Sequence, residues 1–100
     1  MEIIYRKAIL KDTDILSQMR IRMLFNTFDL TDKKQFTIYK NTKKYFLNGL
    51  LNNDFSMFVA TKDERIIAMG GISYFYFPPN ELCLYGKTAY IGNMFTLPDY

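Results

Sequence analysis

The sequence predicts an α+β fold: a mixed, mainly antiparallel sheet of about four strands with two helices near the N-terminus. Three observations carry that prediction. Apolar residues recur at helical spacing between Asp12 and Leu51, and the period shortens to that of extended chain after Asp54. Turn-forming residues cluster at 52–54, 62–65 and 78–80.

Residues 2–7 alternate around Ile3, Ile4 and Tyr5 and read as a short strand bounded by Lys11 and Asp12. Asp12 is the expected N-cap of the next element, with Asp14 in its first turn at the positive end of the helix dipole. Ile15, Leu16, Met19 and Met23 then supply the apolar side of an amphipathic helix. Gln18, Arg20 and Arg22 fall mostly on its other side, and Asn26 and Thr27 loosen its end. Phe28, Asp29 and Leu30 connect to a second helix capped by Thr31 or Asp32. Phe36, Tyr39, Phe46, Leu47, Leu50 and Leu51 lie close to one face of it. Thr37, Asn41 and Thr42 weaken its middle and Gly49 costs about 1 kcal/mol relative to Ala, which leaves this helix open to a break.

Residues 55–61 read as a buried strand, 62–65 as a polar turn and 66–77 as the returning strand of a hairpin. Gly70 and Gly71 mark either a bulge or a close approach of another backbone, because glycine weakens a strand unless something needs the space. Pro78 and Pro79 stop this strand. Residues 82–86 read as loop or as a short extended piece, and 88–97 as the final strand. Neither a repeat nor a linker-like composition divides the chain, so residues 1–100 are expected to form a single domain.

Composition excludes several function classes. A content of 49% hydrophobic and 23% charged residues is that of a folded domain. With no histidine and one cysteine, Cys83, the chain has no ligand set for a usual structural zinc site and no Ser-His-Asp or Cys-His constellation. A lone cysteine forms no internal disulfide, and Cys83 reads as small apolar filler. The N-terminal residues lack the apolar run of a signal peptide, and no apolar stretch approaches the roughly 20 residues that span a bilayer. The expectation is a cytoplasmic protein with no membrane partner. The formal charge of +3 gathers at Lys33, Lys34, Lys40, Lys43 and Lys44, which reads as attraction to an anion or, more simply, as a solvated helix face. No nucleic-acid motif accompanies it, so no nucleic-acid partner is expected.

The stretch Asn93-Met-Phe-Thr-Leu-Pro-Asp-Tyr100 is a strand running into a Pro-Asp turn. Together with Ile4-Tyr-Arg-Lys-Ala8, Lys11-Asp-Thr-Asp14 and Phe58-Val-Ala-Thr-Lys-Asp-Glu-Arg-Ile-Ile-Ala-Met-Gly-Gly71, it resembles the N-terminal portion of the GNAT N-acetyltransferase superfamily. The resemblance covers essentially the whole chain. It implies the N-terminal part of the acyl-CoA N-acyltransferase fold and transfer of acetyl from acetyl-CoA to an amine of unspecified type. In that family the fourth strand splays from its neighbour and the pantetheine arm lies along it as an added strand. By position, Met94, Phe95 and Thr96 match the cofactor-contacting stretch, mainly through their backbone, with an N–H there able to polarise the thioester carbonyl. The resemblance also places the connection containing Phe28 and Asp29 beside the acceptor site, and Asn93 on the strand that borders it. Tyr74, in the run of aromatics at 74–77, is a further acceptor-wall candidate, with strand packing as its plainer reading.

The family's glycine-rich pyrophosphate loop follows the turn that ends here at Tyr100. The expected unit is therefore a truncated domain, binding acetyl-CoA weakly and inactive alone. No catalytic residue is assigned: Glu64 and Glu81 read as solvated turn and loop charges. The alternative is a non-catalytic interaction module, self-associating as a homo-oligomer through an exposed C-terminal strand.

Overall fold

A computed structural model describes residues 2–27 and 31–100. Its elements are β1 (Ile4–Lys7), α1 (Thr13–Thr27), α2 (Asp32–Asn52), β2 (Phe55–Lys62), β3 (Arg65–Tyr76) and β4 (Lys87–Thr96). The four strands form one sheet in the order β1-β2-β3-β4, and every pair is antiparallel.

Local chemistry explains most boundaries. Thr31 is the N-cap of α2, its hydroxyl accepting from the Lys34 amide at 3.2 Å. That helix runs through Thr37, Asn41 and Thr42 without a break and ends at Asn53, whose φ of 59° is left-handed. The β2–β3 turn places Asp63 and Glu64 at φ of 52° and 66°, the paired positive values that match a two-residue loop to the strand twist. Residues 82–86 settle as a turn closed by the bridge between Asn80 and Cys83, with the Cys83 thiol donating to the Lys87 carbonyl. The Pro98 turn closes with the Tyr100 amide donating to the Leu97 carbonyl at 2.9 Å.

Asp12 departs from its expected role. It lies in a single 3-10 turn, Leu10–Asp12, ahead of α1. Its carboxylate reaches back to the Ile9 amide at 2.9 Å and takes Arg6 in a two-point ion pair at 2.8 and 3.1 Å. The Arg6 hydrogen bond holds the Asp12 carboxyl below its ordinary value of 3.8, against the opposing effect of burial. A carboxyl depressed in the folded state contributes stability above its unfolded-state value, and that contribution fades as pH falls through the folded value. Asp12→Asn is expected to cost about 1–2 kcal/mol at neutral pH, at the low end because Arg6 is partly solvated. Urea midpoints of the two proteins should converge as pH drops below 3.8; a constant gap down to acid pH would refute this account.

Both helices cover one face of the sheet. Leu16 and Met19 of α1 and Phe46 of α2 pack on Phe55, Met57 and Val59 of β2 and on Ile67 and Met69 of β3. The helical pattern places Ile15, Phe36 and Leu51 with them, but these three side chains are exposed. Successive helical residues point about 100° apart, so Ile15 cannot share the direction of Leu16. Ser17 instead is buried, its hydroxyl donating to the Thr13 carbonyl at 2.7 Å. Asp14 binds across the helix pair, accepting from the Tyr39 hydroxyl and from Lys43, and the Tyr39 bond is the main cause of its lowered pKa.

The other sheet face has no helix over it among the described residues. Tyr5, Phe58, Ile91 and Met94 stand there, with Tyr5 78% and Met94 65% exposed. The radius of gyration, 15.2 Å, exceeds the roughly 13 Å of a fully closed domain of this length, as a two-layer arrangement with one open face requires.

Candidate functional site

A bulge in β4 organises the site. Met69 pairs with Phe95 and Gly71 with Gly92, so β3 spends only Gly70 where β4 spends Asn93 and Met94. Asn93 is the left-handed residue of this bulge, with φ of 55°, a conformation that a short polar side chain tolerates better than a branched one. The glycine pair therefore marks a bulge, with the additional residue on the opposite strand. It also makes room, though for side chains: a Cβ on Gly70 would sit 2.6 Å from the Met94 sulfur, and one on Gly71 2.8 Å from the Phe55 ring.

The bulge turns Asn93 toward the helices. Its Oδ1 accepts from Arg20 Nη1 at 3.0 Å, and its amide nitrogen donates to the Met69 sulfur at 3.3 Å. Beside this pair lies a cavity of about 400 Å³, in the size range of small-molecule clefts, between the helices and the β3–β4 hairpin. Its lining includes Arg20, Tyr45, Phe55, Ser73, Tyr90 and Asn93. The Tyr45 hydroxyl bonds the Ser73 hydroxyl at 2.8 Å, and its ring meets Phe55 edge-on at 5.3 Å. Phe46 stacks on Phe55 at 5.4 Å, fixing that aromatic wall. Among the described residues, Arg20 is the single charged residue of the lining, with neither Asp nor Glu beside it.

After the bulge β4 presents an open edge. The Leu97 amide donates inward to the Ile67 carbonyl at 2.8 Å. An antiparallel ladder alternates inward and outward groups, so the amides and carbonyls of Thr96 and Met94 face outward and those of Phe95 face β3. β4 is the last strand of the sheet, and no described strand takes those outward groups. Phe95 instead contributes its side chain, packed against the core cluster.

The sequence-predicted site residues thus fall in different places. Asn93 lines the cavity, and Met94, Phe95 and Thr96 follow it along the open strand. Tyr74 lies on the opposite face of the sheet, its hydroxyl 3.4 Å from the Ser56 hydroxyl and its ring under Lys87. Phe28 and Asp29 lie outside the described residues. Glu64 and Glu81 are exposed and do not line the cavity. Sequence reasoning missed Arg20, Tyr45, Ser73 and Tyr90 as site residues. Nothing local separates Arg20 from Arg22, which is exposed on the same helix.

Two helices on one face of an antiparallel sheet, with a bulged, open-edged last strand, define the N-terminal part of the acyl-CoA N-acyltransferase fold. Within that fold, the chain resembles the GNAT N-acetyltransferases along its whole length. A predicted acetyltransferase from Clostridium acetobutylicum, solved with acetyl-CoA, is 34% identical, with a TM-score of 0.88 over 98% of this chain and 62% of that one. A GCN5-related N-acetyltransferase from Ralstonia eutropha JMP134 superposes with a TM-score of 0.86 at 17% identity, over 99% of this chain and 65% of that one. PaiA N-acetyltransferase from Thermoplasma acidophilum, in complex with coenzyme A, gives 0.70 at 18% identity over 100% and 62%. The chain therefore spans somewhat over three-fifths of the length of these structures. No family model matches the chain, and no curated protein sequence matches it. Among the described residues, no helix is long and apolar enough to cross a membrane.

Proposed function

We propose that this chain supplies the thioester-binding edge and the amine-acceptor cavity of an acetyl-CoA-dependent N-acetyltransferase. The observation that carries the reading is the position of the outward backbone groups of Met94 and Thr96, directly after the bulge residue that lines the cavity. An unpaired strand edge fits the amide-bearing arm of such a co-substrate, because those amides complete the ladder that no neighbouring strand completes. Bound there, acetyl-CoA supplies an activated acetyl group. The chain's own residues hold the arm through Met94 and Thr96, shape the acceptor space through Asn93 and its partner Arg20, and exclude water with the aromatic wall. The acetyl-CoA-bound structure of the 34%-identical Clostridium protein supports the same reading.

These 100 residues contain no glycine-rich loop after the Pro98 turn to offer successive amides to a pyrophosphate. By themselves they are expected to bind acetyl-CoA weakly and to turn it over negligibly. Titrating the isotope-labelled chain should shift the Met94 and Thr96 amides while the Phe95 amide, turned toward β3, responds less. Shifts confined to other elements, or tight binding by the chain alone, would contradict the proposal.

A second reading is favoured by the open sheet face. Tyr5, Phe58, Ile91 and Met94 form an apolar surface beside the unpaired β4 edge, a combination that promotes pairing between chains. As a self-associating interaction module, the chain should show a light-scattering mass that grows with concentration. A constant monomer mass would remove this alternative.

A further inference from the structure

We propose that the cavity beside Asn93 selects a small primary amine that also carries an anion, a carboxylate or a phosphate, with Arg20 as the anion-binding residue. The inference rests on the acetyl-transfer reading and names the acceptor class for that site. Its basis is the charge inventory of the lining. Among the described residues, Arg20 is the single group of fixed charge there, and no Asp or Glu shares the cavity with it. Neither ion pair of the described residues involves Arg20; those pairs join Arg6 to Asp12 and Lys43 to Asp14. The protein acceptor bonded to the Arg20 guanidinium is the neutral amide oxygen of Asn93, at Nη1. A guanidinium has five donors, so a charged planar ligand has groups left to engage.

A cationic amine lacking an anion would meet the positive charge of Arg20 and, among the described residues, no carboxylate of the lining to hold its ammonium. Like charges in a partly desolvated cleft repel more strongly than in water. An amine that carries its own anion reverses the sign at Arg20. Because Arg20 bonds Asn93, one residue before Met94, anchoring the anion there holds the ligand next to the strand on which the acetyl donor is proposed to lie. Much of the remaining wall is aromatic, from Tyr45, Phe46, Phe55 and Tyr90, and suits a ligand with an apolar body; polar groups there include the Tyr45 and Ser73 hydroxyls, with Asn41 and Thr42 also in the lining.

Matched ligand pairs test this on the chain itself, without requiring turnover. L-phenylalanine and phenethylamine share a ring and an amine but differ by the carboxylate; O-phosphoethanolamine and ethanolamine differ by the phosphate. Titrations at low ionic strength, followed by nitrogen–proton correlation spectra including the arginine side chains, should place the anionic member of at least one pair at Arg20, Gly92 and Asn93. Its affinity should exceed that of the neutral-tailed amine by about tenfold or more. The pair that responds identifies the carboxylate or the phosphate as the anion recognised. Arg20→Gln, which keeps a donor for Asn93, should abolish the preference, and Arg20→Lys should restore part of it. Equal binding within both pairs, no response at Arg20 at millimolar ligand, or a preference unchanged in Arg20→Gln would each overturn the proposal. If Arg20→Gln fails to fold, the paired ligands on the unaltered chain and Arg20→Lys still decide. Anion binding at Arg20 with no acetyl-CoA response at Met94 and Thr96 would leave this site standing and remove the acetyltransferase reading. The opposite pattern would do the reverse.

Discussion

Leu16→Ala is expected to lower stability by about 2–5 kcal/mol, the range for truncating a fully enclosed leucine in a core that collapses only partly around the void. Leu16 is 0% exposed and belongs to the core cluster shared by the helices and the sheet. A domain of this size has only about 5–15 kcal/mol in total, and among the described residues no layer covers one face of the sheet. With each kcal/mol worth about 4–8 °C in a small domain, thermal unfolding should move down by at least about 8 °C. Ile15→Ala, one residue away but on the solvent side, should change stability by no more than about 0.5 kcal/mol. Comparable losses in the two variants, followed by circular dichroism or calorimetry, would mean that α1 is rotated from the position described.

Asn93→Val carries the second large effect, because it attacks the bulge itself. A branched residue forced to a left-handed φ costs about 1–2 kcal/mol. Loss of the bonds to Arg20 and Met69 adds about 1 kcal/mol each, for a sum of about 3–4 kcal/mol. Asn93→Gly is the informative companion: it adopts the same φ freely and loses only the side-chain bonds, so it should be clearly more stable than the valine variant. The structural readout matters as much as the energy. If valine expels the bulge, the strand after it slips by one residue, and Met94 and Thr96 exchange orientation with Phe95. Amide shifts of those residues should then change in Asn93→Val and persist in Asn93→Gly. Equal stability of the two variants, with unchanged shifts in both, would show that the bulge does not depend on Asn93.

The elements were legible because each carries a local signature. The switch from helical to extended period after Asp54, the Thr31 cap and the polar residues at 62–65 each act over a few positions, and the structure follows them closely. The reading erred where two local signals compete. Asp12 carries an N-cap residue type, yet Arg6 and the Ile9 amide claim its carboxylate; Ile15 and Leu16 are both apolar, yet only one direction is inward. The break expected in α2 is absent, since packing of Phe46 and the bonds from Tyr39 and Lys43 to Asp14 hold that helix together.

From residue order alone came the succession of strand, two helices, hairpin and last strand, and with it the likeness to the acyltransferase fold. Folding in three dimensions decided the site. Arg20 meets Asn93 across 73 positions and Tyr45 meets Ser73 across 28, and neither pair leaves a mark in its own neighbourhood of sequence. The physical reason is the range of the forces read. Period, capping and turn preference are set by adjacent backbone, whereas a cavity, a charge left with spare donors and an open sheet edge exist only once distant segments have packed.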